Sequence, residues 1–198
     1  MKTLIILNHP YEKSYCAAAA QAVIAGTQAG GKDADFLYLD KEGFNPVMTG
    51  PELLAWREGK ALDPKVLEYQ RRIKEADHLV FVFPIWWEAM PALTKGFIDK
   101  VIIKNFAYVE PPDKWRWENR IPNIKQVTLI TGISTPKWAY KLWFSNAVYK
   151  IVLRGTFQKI GVKKVKWFNL DTSRNIAREK RERWLQDISK YFTTWSAK

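Results

Sequence analysis

The chain carries one cysteine, Cys16, and two histidines, His9 and His78, in 198 residues. A lone cysteine cannot close an intrachain disulfide, and so few histidines cannot build a histidine-rich zinc constellation. No metal site is expected. No apolar run approaches the ~20 residues that a membrane-spanning helix needs. The segment Met1–Leu7 is too short for a signal peptide, has no small-residue cleavage site and reads as a first strand, so the expected compartment is the cytoplasm. Several signatures are also missing. No G-x-G-x-x-G follows the first strand, and there is no Walker P-loop, no G-x-S-x-G nucleophile elbow and no H-E-x-x-H helix. A dinucleotide Rossmann site is therefore disfavoured. Repeats, low-complexity tracts and linkers are absent too, which makes one domain over residues 1–198 the economical expectation.

Acidic residues are in short supply, with 20 Asp and Glu against 32 Lys and Arg, for a net charge of +12. Such an excess suits nucleic acid, a membrane surface or an anionic small molecule such as a phosphorylated nicotinamide cofactor. The basic residues are dispersed, denser from Lys150 to Lys166 and mixed with acids from Arg178 to Arg183. Mixed signs at helical spacing mark a solvated face, and no nucleic-acid motif accompanies the charge. A nucleic-acid partner is not expected.

What is present is organised around Leu79 to Val101. Residues Leu79 to Phe83 are apolar without alternation, the pattern of a strand covered on both faces. Pro84 has no amide to donate and is expected to stop the ladder. Two adjacent tryptophans, Trp86 and Trp87, occupy a short turn, and Pro91 opens a helix with Leu93, Phe97 and Val101 on one face. The remaining strands are predicted at 2–8, 35–39, 125–131 and 163–170. Helices are predicted at 16–29, 52–59, 64–75, about 138–160 and about 175–192. Alternating strands and helices indicate a parallel sheet with helices on both faces, and five strands at this spacing suit the order 2-1-3-4-5. An aromatic excursion at 105–122, holding Phe106, Tyr108, Trp115 and Trp117, interrupts the alternation.

In an open α/β sheet, ligands bind outside the carboxyl ends of the strands. Three loops meet there: His9 to Tyr15, Pro84 to Met90 and Thr131 to Lys137. Ser14 caps a helix N-terminus suited to phosphate, the Trp turn supplies flat walls, and the third loop offers backbone amides. Together they describe a pocket for a nucleotide with a flat ring.

The segments LIILNHPYEKSY (4–15), LLAWREGKALDPKVLEYQRRIKEADHLVFVFPIWWEAMPALTKGFIDKV (53–101), NFAY (105–108) and LITG (129–132) carry a resemblance. The chain resembles the NAD(P)H:quinone oxidoreductases of the flavodoxin-like fold, a group that includes modulators of drug activity and ancillary subunits of potassium-efflux systems. The resemblance implies a non-covalent flavin, FAD in the first place and FMN as the alternative, with NAD(P)H as co-substrate. It implies a quinone or similar flat acceptor and a homodimer with each active site near the partner subunit. It puts His9, Ser14 and Tyr15 at the phosphate and Cys16 where relatives have Asn. Pro84, Ile85, Trp86 and Trp87 would lie along the isoalloxazine ring, with the backbone of Thr131 and Gly132 at its pyrimidine end. Two positions depart from the family. Ile133 replaces a second glycine, and the Tyr and His proposed to relay charge in the animal enzymes are missing, since Trp138 stands near the Tyr position and no histidine follows His78. The alternative role is a regulatory subunit in peripheral contact with a membrane transport protein, motivated by the basic surface and Trp115–Trp117.

Overall fold

The computed structural model describes residues 1–111, 117–171 and 176–197. The main sheet contains β1 (Lys2–Leu7), β2 (Asp33–Tyr38), β3 (His78–Pro84), β6 (Gln126–Ile133) and β7 (Lys164–Asp171). They lie in the order β2-β1-β3-β6-β7 with every neighbouring pair parallel. Counting the sheet strands alone, this is the predicted 2-1-3-4-5 arrangement. A two-residue hairpin, β4 (Tyr108–Val109) with β5 (Glu118–Asn119), stands apart from it.

Alternation along the central strands assigns their side chains to two layers. Leu4 and Ile6 of β1 and Leu79, Phe81 and Phe83 of β3 join the core beneath α3 (Pro64–Glu75) and α4 (Ala92–Val101). Ile5, Leu7, Val80 and Val82 face the other way, onto α1 (Tyr15–Ala29) and α6 (Arg178–Thr194). That is why β3 shows no alternation of polarity: both of its faces are buried. Helices α1 and α6 approach so closely that a Cβ at Gly26 would collide with the carbonyl of Ser189.

Several boundaries shift from expectation. Leu39 leaves the sheet and opens a 3₁₀ turn, so β2 starts two residues and ends one residue earlier than predicted. Pro84 ends β3 from inside the ladder, opposite Gly132; the interruption falls one residue on, where the Ile85 amide donates to the Gly132 carbonyl at 2.8 Å. Pro91 is the N-cap of α4 and not its first residue. Strand β6 continues to Ile133, beyond the predicted end at Thr131, because β7 pairs with it that far. The helix predicted over 138–160 is two pieces, α5 (Lys137–Leu142) and a wide π-type helix at Tyr149–Gln158. Between them Ser145 and Asn146 take left-handed backbone angles that no continuous helix allows. The predicted helix start near 175 lies outside the described residues, and the resolved helix begins at Arg178. The short α2 (Gly50–Arg57) starts in a capping box of Thr49 and Glu52. Phe106 and Tyr108 of the aromatic excursion are buried, Trp117 stacks on Tyr108 at 4.2 Å, and Lys159 sits over Trp117. Trp115 lies outside the described residues.

Candidate functional site

The first loop at the carboxyl edge closes on one backbone bond, from the Ser14 amide to the Tyr11 carbonyl at 3.0 Å, and is anchored to its neighbours by side chains. Asn8 spans two elements: its Oδ1 accepts from the Thr94 amide and hydroxyl, and its Nδ2 donates to Asp40 at 2.9 Å. The same Asp40 oxygen accepts the His9 amide at 2.7 Å, and the Tyr38 hydroxyl donates to the His9 carbonyl at 2.7 Å. The loop is thus pinned to the ends of β2 and α4. Ser14 caps α1 by accepting from the Ala17 amide at 3.1 Å. The amides of Tyr15 and Cys16, in the first turn, have no carbonyl within the helix to bond and remain aimed at the loop. An anion is favoured there by those donors, by the helix dipole and by Lys13.

The second loop is a tight hairpin. Trp86 and Ala89 exchange both backbone hydrogen bonds at 3.0 Å, with Trp87 and Glu88 at φ of 49° and 60°. Positive φ at both central positions is the type I′ geometry normally given to Asn-Gly, and here two bulky side chains occupy it. Backbone strain of this kind persists only where the surroundings enforce it. They do so from the third loop and from α5. Thr135 donates to the Glu88 carboxylate at 3.0 Å, and the Tyr140 hydroxyl donates to the Glu88 carbonyl at 3.1 Å while accepting from the Val148 amide at 2.9 Å. The hairpin turns Trp86 inward, edge-on to His9 at 6.4 Å, and Trp87 outward at 98% exposure.

Between the loops lies a cleft of about 480 Å³, within the ~300–1,000 Å³ of small-molecule sites. His9, Ser14, Tyr15, Cys16, Pro84, Ile85, Trp86 and Gly132 all line it. Two of the predicted site residues do not. Trp87 faces solvent, and the side chain of Thr131, whose backbone was the expected contact, is buried within the sheet, where its hydroxyl donates to Asn169 at 3.2 Å and accepts from the Trp167 indole at 2.9 Å. Alternation along β6 turns Thr131 inward and brings Gly132 to the cleft. Tyr11, Lys13 and Ser134 also line it. They stand in the same loops, and their place in those loops was the signal available for them. A second cleft of about 420 Å³ adjoins the first, sharing Lys13 and Ser14 and running along Phe36 and Tyr38.

The titratable groups are quiet. Burial lowers the pKa of His9, and the nearby Asp40 charge only partly opposes it. His9 Nδ1 accepts from the Tyr11 amide at 3.0 Å, so the neutral ring carries its proton on Nε2. Burial pushes the Tyr15 phenol up to about 12 against the opposing charge of Arg181. Burial also pushes the Cys16 thiol up to about 12 despite a hydrogen bond with the Gly132 backbone. A thiol so protonated is not a nucleophile at neutral pH. The site offers binding and orientation, with no activated side chain. Among the described residues no cluster of His, Cys, Asp and Glu could hold a metal ion, and no helix is long and apolar enough to cross a membrane.

The Flavodoxin_2 family, described as a flavodoxin-like fold, matches residues 1–192. The chain belongs to that family. An uncharacterized NAD(P)H oxidoreductase of Escherichia coli, YcaK, is 34% identical over 118 residues, which are 57% of this chain and 60% of that protein. This chain spans about half to three-fifths of the length of the curated relatives it matches. The crystal structure of Smu.1420 from Streptococcus mutans has a TM-score of 0.86 at 29% identity, covering 98% of this chain and 100% of that one. An NAD(P)H:quinone oxidoreductase from Methanothermobacter marburgensis has a TM-score of 0.87 at 23% identity, covering 98% of both chains, a likeness of fold.

The cleft fits a flavin. A phosphate would sit at the α1 N-terminus beside Lys13 and Ser14, and a flat ring would lie between Trp86 and the backbone of Ile85 and Gly132.

Proposed function

We propose that this chain, acting as one domain, is a flavin-dependent NAD(P)H oxidoreductase that reduces quinones or similar flat acceptors by two-electron transfer. The observation that carries this reading is the single cleft in which a helix N-terminus, an indole wall and β6 backbone converge. When bound, FAD, or FMN as the alternative, supplies the hydride chemistry that none of these side chains has. The residues bind and orient. Ser14, Lys13 and the free amides of α1 would take the phosphate, and the strained hairpin fixes Trp86 as one wall of the cleft. Loops braced by Asn8, Asp40 and Tyr140 hold the geometry without rearrangement, which is where such a site gains its rate. The protonated Tyr15 and Cys16 donate hydrogen bonds rather than attack. With the family's Tyr and His relay missing, developing negative charge is met by backbone amides. NAD(P)H and the acceptor are flat and take turns at one open face, a ping-pong order.

The cytoplasm supplies the NAD(P)H. The assembly is a homodimer in which each cleft lies near the partner subunit. Of the aromatic pair behind the regulatory-subunit reading, Trp117 packs on Tyr108 and Trp115 lies outside the described residues. Purified protein is expected to turn yellow with added FAD or FMN and to oxidise NAD(P)H with a soluble quinone. A protein that stays colourless and leaves NAD(P)H untouched overturns the proposal.

A further inference from the structure

The second cleft, of about 420 Å³, has the size of a small-molecule site and serves no step of the proposed reaction. Its two walls are unlike. One is the face of α1 that carries Ala17, Ala18 and Gln21, and the other is a pair of rings from β2, Phe36 and Tyr38, with centroids 6.1 Å apart. Two residues apart in a strand, those rings stand on the same side of the sheet. Alanines opposite rings leave a slot for a planar group, where larger side chains would have closed the gap. The exposed Lys13 and Lys41 also line it. Lys41 lies over the Tyr38 ring at 5.3 Å and pairs with Glu12 at 2.5 Å, both side chains of the pair being more than half exposed. An exposed pair of this kind is weak, so an anion can take Lys41 from Glu12. Among the described residues Lys13 has no acidic partner, and the Gln21 side chain has no hydrogen-bond partner.

We infer that the second cleft is a subsite for an adenosine 5′-phosphate group. The purine would stack on the β2 rings, as bases do on aromatic side chains. The Gln21 amide carries a donor and an acceptor side by side, which suit N7 and the N6 amine of adenine but not the two acceptors of guanine. Lys13 and Lys41 would meet the phosphate. Lys13 and Ser14 line both clefts, so one ligand can run from the first into the second. Both walls come from one chain, in the layer of α1 and α6, so the partner subunit is not needed to build them. Two molecules of the proposed reaction carry this group, FAD and NAD(P)H. Assigning it to them rests on the oxidoreductase reading; the subsite itself does not.

The test is isothermal titration calorimetry of 5′-AMP into the full chain, with and without FMN. Saturable binding is expected, about tenfold tighter than that of GMP or inorganic phosphate. Ala18→Leu, which closes the slot, and Gln21→Ala should each weaken AMP at least fivefold, while an unchanged FMN affinity reports an intact fold. Two comparisons then identify the source. If the adenosine of FAD fills the slot, FAD should bind more tightly than FMN, and Ala18→Leu should erase that advantage. If the adenosine of NAD(P)H fills it, Ala18→Leu should raise the KM for NAD(P)H at least fivefold. It should then leave oxidation of reduced nicotinamide mononucleotide, which has no adenosine, as in the wild type. The inference is overturned if AMP does not bind, if GMP or inorganic phosphate binds as well, or if both variants bind AMP as the wild type does. It is also overturned if Ala18→Leu alters neither comparison. A chain that binds AMP in this way but takes up no flavin would instead sink the oxidoreductase reading and leave the subsite standing.

Discussion

The two ends of the sheet each hold one of the two histidines, and they treat it in opposite ways. At the carboxyl end His9 borders a cleft, with an amide on Nδ1 and an indole edge-on. At the amino end His78 is sealed in. Trp195 lies 4.3 Å and Phe192 5.3 Å from its ring, Nε2 meets the Thr128 hydroxyl at 2.7 Å, and Gln126 links Thr128, Tyr191 and Trp195. Lys32 closes the seal by donating to the carbonyls of Phe192, Thr193 and Trp195. One sheet thus serves stability at one end and binding at the other. The binding end leaves helix amides and an indole edge open, whereas the sealed end leaves almost no polar group open.

Removing the seal should have the largest effect. Trp195→Ala takes away a buried indole and leaves Gln126 without its donor, so a loss of ~3–5 kcal/mol is expected in chemical denaturation. Flavin affinity of the fraction still folded should not change, because the cleft is at the far end. Acid is next. Burial lowers the His78 pKa to about 3 from an ordinary value near 6.5. The folded state therefore binds fewer protons, and its stability is complete above pH 6.5. It then falls by ~1.4 kcal/mol per pH unit as pH drops toward 3. His78→Phe should flatten most of that acid limb in denaturation curves taken across pH, whereas His9→Phe, which removes a smaller lowering, should flatten it less.

At the open end, Ser14→Ala should cost ~1 kcal/mol of stability through the lost cap and weaken flavin binding about tenfold in a fluorescence titration. An equal loss of stability without loss of affinity would show Ser14 to be only a cap. The smallest effect is expected at the hairpin. Trp87→Asn removes no packing and relieves a left-handed backbone, so thermal stability should rise by up to ~1 kcal/mol.

The sheet was legible because burial on both faces writes itself as unbroken apolar runs, as in Leu79 to Phe83. Ser14 was legible because a cap needs a specific side chain beside a helix-forming run. The three loops could be brought together once topology was known. Side-chain direction within them could not: Thr131 and Gly132 are neighbours, and only the pairing register of β6 with β7 decides which one reaches the cleft. The family resemblance places Trp87 along the ring. The type I′ geometry that turns it outward depends on Thr135 and Tyr140, about fifty residues away. The break after Leu142 has a local signal in Ser145-Asn146, residue types that favour turns over helix interiors, which the longer apolar pattern around it masks.

The Tyr140 hydroxyl is one oxygen that serves two clients, the carbonyl of Glu88 and the amide of Val148. A chimera that exchanges residues 84–90 with a relative, but keeps this Tyr, hands that oxygen a hairpin of different shape. An exchange of 134–148 alone removes it from a hairpin that depends on it. The two segments are therefore one exchangeable part, to be grafted together or left together, although more than forty residues of chain separate them.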